Sequence, residues 1–158
     1  APDMDLIENS MLTAMVRKNL SNAGLLNWQR AKAFTQTIID EFDVRTPGPQ
    51  SIARSLSGGN LQKYVIGREV LQDPDVLIVN QPTWGVDAAA AAAIRQSLLD
   101  LAGKGAAIIV ISQDLDELME ISTQFSALNN GKLSVAQPMA KFSLDEIGLL
   151  LGGADAST

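Results

Sequence analysis

A chain of 158 residues has the length of a single domain, and 46% hydrophobic residues supply enough for a core. No stretch is long and apolar enough to span a bilayer, and no N-terminal segment reads as a signal peptide. Cysteine and histidine are both absent. That excludes a disulfide framework, thiolate metal sites and the commonest general base at neutral pH. The net charge of −6, with acids and bases interspersed, lacks the basic face that nucleic-acid binding requires. A soluble cytosolic domain fits this balance.

The chain opens without an initiator Met, and Ala1 to Asp5 reads as the start of a fragment. Asp5 can cap a helix whose apolar residues Leu6, Met11, Leu12, Met15 and Val16 recur at helical spacing, with Arg17 and Lys18 suited to its C-terminal end. Ser21 to Gly24 breaks it. Asn27 opens a second helix, whose stripe of Ala31, Phe34, Ile38 and Phe42 predicts core packing. Asp43 to Ile52, which holds Pro47, Gly48 and Pro49, makes a linker.

Next comes Ser55-Leu56-Ser57-Gly58-Gly59-Asn60-Leu61-Gln62-Lys63. Ser57 is of the type that caps a helix with its hydroxyl. Gly58 and Gly59 carry no Cβ, so another surface can approach the backbone. A helix start offers free N–H groups and a partial positive charge, which together suit a phosphate. The helix is expected to run to about Leu71, buried on more than one side. Val76 to Val79 is a short apolar run and predicts a buried parallel strand. Asp87 caps an Ala-rich helix with Ile94, Leu98 and Leu101 inward, and Ala106 to Ile111 predicts a second strand, completing a βαβ unit. A short helix over 114–121 follows. Asn129-Asn130-Gly131 between apolar runs predicts a hairpin, and Ser143 caps a last helix over 144–151. The small polar tail from Gly152 predicts disorder.

Three of these stretches resemble one family in order and spacing. Leu56 to Lys63 resembles the signature motif of ABC-type ATPases, in the form found in sugar and nucleoside importers. Val76 to Asp87, ending Asn80-Gln81-Pro82-Thr83-Trp84-Gly85-Val86-Asp87, resembles the Walker B strand and D-loop. Val110 to Leu118 resembles the switch region. The resemblance implies an α/β fold: a partial P-loop NTPase (ABC ATPase) domain, with a helical signature subdomain over 1–72. A truncated core with the C-terminal hairpin follows over 73–158. It further implies ATP and Mg2+ as cofactors of the intact complex, and a nucleotide site shared between two domains. From this side Ser57, Gly58, Gly59, Asn60, Gln62 and Asp87 would contact the nucleotide.

The chain departs from the family in two ways. No Gly-x-x-x-x-Gly-Lys-Ser/Thr phosphate loop occurs in it, so ATPase activity is not expected of the chain alone. The magnesium position, normally Asp, is Asn80; the catalytic position, normally Glu, is Gln81; the switch position, normally His, is Gln113. An amide can orient water but carries no negative charge and takes no proton. The resemblance therefore implies the C-terminal part of the second ATP-binding domain of an importer subunit. Such a subunit works with a second ATP-binding domain and membrane permease subunits, peripheral on the inner face of the cell membrane. No nucleic-acid partner is expected. A non-hydrolytic nucleotide-sensing module is the alternative, and a chromosome-maintenance ATPase is disfavoured by the acidic charge and absent heptads. Without the phosphate-loop strand the sheet is missing a slat, so the chain is expected to close the gap or to dimerise.

Overall fold

The computed structural model describes residues 1–22 and 24–151. They fall into two compact units, one ending at Ile111 and the other beginning at Ser112.

In the first unit Asp5 starts α1 (Leu6–Ala14) through a capping box: Glu8 N–H donates to the Asp5 carboxylate at 2.7 Å, and Asp5 N–H donates to Glu8 at 2.9 Å. α1 ends at Ala14, short of the expected Val16, which is 80% exposed. Arg17 and Lys18 do not serve as helix-end charges. They pair across the fold with Asp75 at 3.4 Å and Asp73 at 3.5 Å. The break after α1 is a small antiparallel hairpin, β1 (Ser21–Asn22) and β2 (Leu25–Leu26). Asn27 caps α2 (Trp28–Glu41), accepting from Arg30 N–H at 3.0 Å. As expected, the α2 stripe packs into the core. Ala31 and Ile38 are fully buried, and Phe34 lies against two clusters. One holds Leu6, Ile38, Ile39, Val44, Ala53 and Tyr64; the other holds Ile7, Met11, Ala14, Leu20 and Ala31.

α3 (Gly58–Val70) crosses this core and buries Tyr64, Ile66 and Val70, which lie on more than one side of the helix. The Tyr64 hydroxyl donates to Leu6 O at 2.5 Å and lies 2.9 Å from Ser10 Oγ, which is itself 2.8 Å from Thr35 Oγ1. The interior of the helical part is thus a satisfied polar chain inside an apolar shell.

β3 (Val76–Asn80), α4 (Ala88–Gly103) and β4 (Ala107–Ile111) form the expected βαβ unit, with β3 and β4 parallel and Val76 opposite Ala107. α4 buries Ile94, Leu98 and Leu101, and Leu77 and Val79 face inward. The expectation of fully buried strands fails on the opposite face. Val76 and Ile78 are 61% and 63% exposed, and Ile109 and Ile111 are both 53% exposed. Paired residues of a parallel ladder share a face, so these four side chains form one bare apolar surface. No third strand joins this sheet among the described residues.

In the second unit Asp114 caps α5 (Leu115–Ile121), accepting from Glu117 N–H at 3.1 Å. β5 (Gln124–Phe125) pairs antiparallel with β8 (Gln137–Pro138). β6 (Leu128–Asn129) and β7 (Lys132–Leu133) make the expected hairpin, shorter than the apolar runs suggested. Its turn residues Asn130 and Gly131 have φ of 48° and 75°, the two positive values that a type I′ turn needs. Phe125 and Phe142 meet edge to face at 5.3 Å. Ser143 starts α6 (Leu144–Leu151) by a capping box with Glu146. The tail expected to be disordered from Gly152 lies outside the described residues.

Candidate functional site

The glycine-opened end of α3 lies at the surface. Ser57 and Gly58 are exposed, and Gly59 and Asn60 are half-buried. The sequence predicts that Ser57 caps the helix with its hydroxyl, and this is corrected by the geometry: no side chain caps α3. The reason is a competitor within the motif. Asn60 Nδ2 donates to Ser57 Oγ at 2.9 Å and draws the hydroxyl aside. The other end of the Asn60 amide accepts from Arg45 N–H at 2.9 Å, so both side chains are held in place. The first-turn N–H groups of Gly58, Gly59 and Asn60 have no intrahelical acceptor, and the hydroxyl that could have satisfied one of them is engaged elsewhere. An anion would find donors and the positive end of the helix dipole here.

The two glycines do different work. A Cβ on Gly58 would meet nothing within 4 Å, so its side of the backbone is open. A Cβ on Gly59 would lie 2.9 Å from Gly85 O and 3.6 Å from Val86 Cα, so Gly59 lets α3 pack directly on the loop over 81–86. That loop leaves β3 at Gln81, whose φ of +51° is unusual for a residue with a side chain. Gln62 Nε2 donates to both Gln81 O and Pro82 O at 3.0 Å. The Asp87 carboxylate accepts from Ala90 N–H at 2.9 Å and caps α4. That N–H holds its carboxyl below the usual carboxylate range, helped by the charges of Lys63 and Arg45.

The structure thus brings Ser57, Gly58, Gly59, Asn60, Gln62, Gln81 and Asp87 into one surface region of the first unit. Asn80 is exposed at the end of β3. Gln113 lies at the start of the second unit and is exposed there. Two further residues, given no role by the sequence patterns, shape this region. Arg45 lies in a Pro- and Gly-containing linker with no motif to mark it. Lys63 is buried and donates to Asp43 O at 3.0 Å, pinning the same linker to α3.

The first turn of α3 fits a phosphate group. The donor set at the magnesium position does not fit the ion. Asn80 and Gln81 offer neutral amides, and among the described residues no group of three His, Cys, Asp or Glu side chains could hold a metal. No helix is long and apolar enough to cross a membrane among the described residues.

No family model matches the chain. Curated proteins do. It is 34% identical over 153 residues to the nucleoside import ATP-binding protein NupA of Lactococcus lactis, covering 97% of this chain and 30% of that protein. It is also 34% identical over 152 residues to the guanosine import ATP-binding protein NupO of Bacillus subtilis, covering 96% of this chain and 30% of that one. With the galactose/methyl galactoside import ATP-binding protein MglA of Escherichia coli the identity is 40% over 131 residues, 83% of this chain and 26% of MglA. The chain therefore spans about three tenths of these relatives' length. Among solved structures, a dimeric ATP-binding cassette in a post-hydrolysis state bound to ADP and Pi superposes with a TM-score of 0.72 at 19% identity, covering 88% of this chain and 58% of that one. An ATP-binding subunit of an ABC transporter superposes with a TM-score of 0.68 at 22% identity, covering all of this chain and 60% of that one. The fold and these relatives agree: the chain belongs to the ATP-binding cassette family, and the curated proteins it resembles are nucleoside and sugar import ATP-binding proteins.

Proposed function

We propose that this chain is the signature-bearing C-terminal part of the second ATP-binding domain of an importer subunit, and that its α3 end closes over ATP held by the other domain. The uncapped, glycine-opened first turn of α3 carries this reading. Its N–H groups and the held Ser57 hydroxyl suit a γ-phosphate presented from outside. The bare face of β3 and β4 fits a core whose remaining strands lie elsewhere in a longer protein. In that protein the coupled reaction is ATP hydrolysis driving import of a sugar or nucleoside through permease subunits, with the subunit on the cytoplasmic face of the membrane. NupA and NupO lean the substrate toward a nucleoside, while MglA keeps sugars open. Residues 1–72 act as the helical subdomain and 73–158 as the truncated core.

The site to which this chain lends Asn80, Gln81 and Gln113 is non-hydrolytic, because three amides replace two acids and a base. The same observation favours a second reading, a nucleotide-sensing module without a permease. The test is Asn80→Asp, Gln81→Glu and Gln113→His together in the full-length protein with its permease. Basal turnover per dimer should rise, and Ser57→Ala should lower it. Unchanged turnover on restoring the three positions contradicts a crippled second site. Failure to co-purify with any permease favours the sensing module.

A further inference from the structure

We propose that Gln62 is a positioning residue: it fixes the backbone that sets the direction of the Gln81 side chain, and so ties the phosphate-facing end of α3 to the water-orienting position of its own domain. The proposal rests on the functional reading of Gln81 given above.

Gln81 sits in a left-handed conformation that a non-glycine residue holds only when its surroundings impose it. Three neighbours impose it. Gln81 N–H donates to Ile111 O at 2.8 Å, which fixes the loop to the end of β4. Trp84 N–H donates to Gln81 O at 3.2 Å and closes the turn. Gln62 Nε2 then donates to Gln81 O and Pro82 O together, both at 3.0 Å. The first two bonds belong to the loop and strand themselves. Of these three bonds, the one from Gln62 comes from α3. At the far end of the loop, Gly59 packs its backbone on Gly85 O and Val86. The loop is thus held to α3 at both ends, by residues interleaved with the phosphate-facing ones. Ser57 and Gly58 face out, while Gly59 and Gln62 face the loop.

A force on the outer face of this helix end is delivered to the loop through these two contacts. One helix start therefore serves two nucleotide positions: its neighbour's through Ser57 and Gly58, and its own domain's through Gln62. A carboxylate at position 62 has the same shape but no donor, so it cannot hold the two carbonyls.

The test uses the full-length protein with Gln62→Ala and Gln62→Glu. Hydrogen exchange without nucleotide should be about tenfold faster in the peptide over 81–87, the effect of about one lost hydrogen bond, and unchanged in α1 and α2. In the background that also carries Asn80→Asp, Gln81→Glu and Gln113→His, Gln62→Ala should lower kcat about tenfold and leave KM within about twofold. A residue that touched the nucleotide would raise KM instead. Unchanged exchange over 81–87 in both variants overturns the positioning role, whatever the turnover. Faster exchange with no turnover in the restored background upholds the clamp and contradicts the functional reading on which its consequence depends.

Discussion

Alanine at Gly58 and alanine at Gly59 are adjacent changes of the same size in the same helical turn, yet they should behave differently. Each gains helix propensity over glycine, up to about 1 kcal/mol in a helix interior and less in a first turn. At Gly58 the new methyl meets nothing within 4 Å, so the variant should be neutral or slightly stabilised. At Gly59 the methyl would sit 2.9 Å from Gly85 O. The obstacle is backbone, with no flexible tip to move aside. Forcing a methylene-sized group into packed structure costs about 1–3 kcal/mol. The propensity gain is common to both variants, so their difference isolates the clash. At about 2–4 °C per kcal/mol for a chain of this size, Gly59→Ala should melt roughly 2–12 °C below Gly58→Ala. The assay is thermal unfolding of the two variants side by side, followed by MgATP turnover in the full-length protein. Turnover should fall for Gly58→Ala although its stability is intact, because the open side of that backbone is where a phosphate would approach. Equal melting temperatures, or a lower one for Gly58→Ala, would refute the division of labour between the glycines.

Two other perturbations follow from the packing. Burial pushes the Tyr64 hydroxyl up to about 12. The folded state therefore holds this proton more tightly than the unfolded chain, and the associated stability is intact below about pH 10 and lost as pH rises toward 12. Tyr64→Phe should flatten that alkaline decline while costing about 1–3 kcal/mol at neutral pH, because Leu6 O and Ser10 Oγ each lose a buried partner; a denaturant melt at pH 7 and pH 11 reads both. The bare face of β3 and β4 should drive self-association of the isolated chain. Ile78→Lys with Ile109→Lys should shift sedimentation toward the monomer without lowering the melting temperature, since both side chains are already more than half exposed; unchanged association would show that the face is not the contact.

Features encoded in a few neighbouring residues were legible in the sequence. Asp5, Asn27, Asp87, Asp114 and Ser143 each start a helix where expected, because a cap is a bond between residues three apart. Asn130-Gly131 made its turn for the same local reason. Ser57 looked like another such cap, but Asn60 three residues on competes for its hydroxyl, and a cap residue type does not reveal its competitor. Arg17 and Lys18 were misplaced because their partners Asp75 and Asp73 are remote in sequence. The Val-Leu-Ile-Val run of β3 has apolar side chains on both faces, and one face finds no cover among the described residues. The sequence pattern reports the surroundings the strand is built for, whereas the structure reports the cover present. The contact of Gly59 with Gly85 and the reach of Gln62 to Gln81 are tertiary, and neither spacing nor residue type announces them.

The most direct measurement is amide exchange of Gly58, Gly59 and Asn60 with and without MgATP, in the full-length protein and in the isolated chain. Nucleotide should protect these three amides in the full-length protein and leave them unprotected in the isolated chain. Protection in the isolated chain, or none in the full-length protein, would contradict a helix end that closes over a neighbour's phosphate.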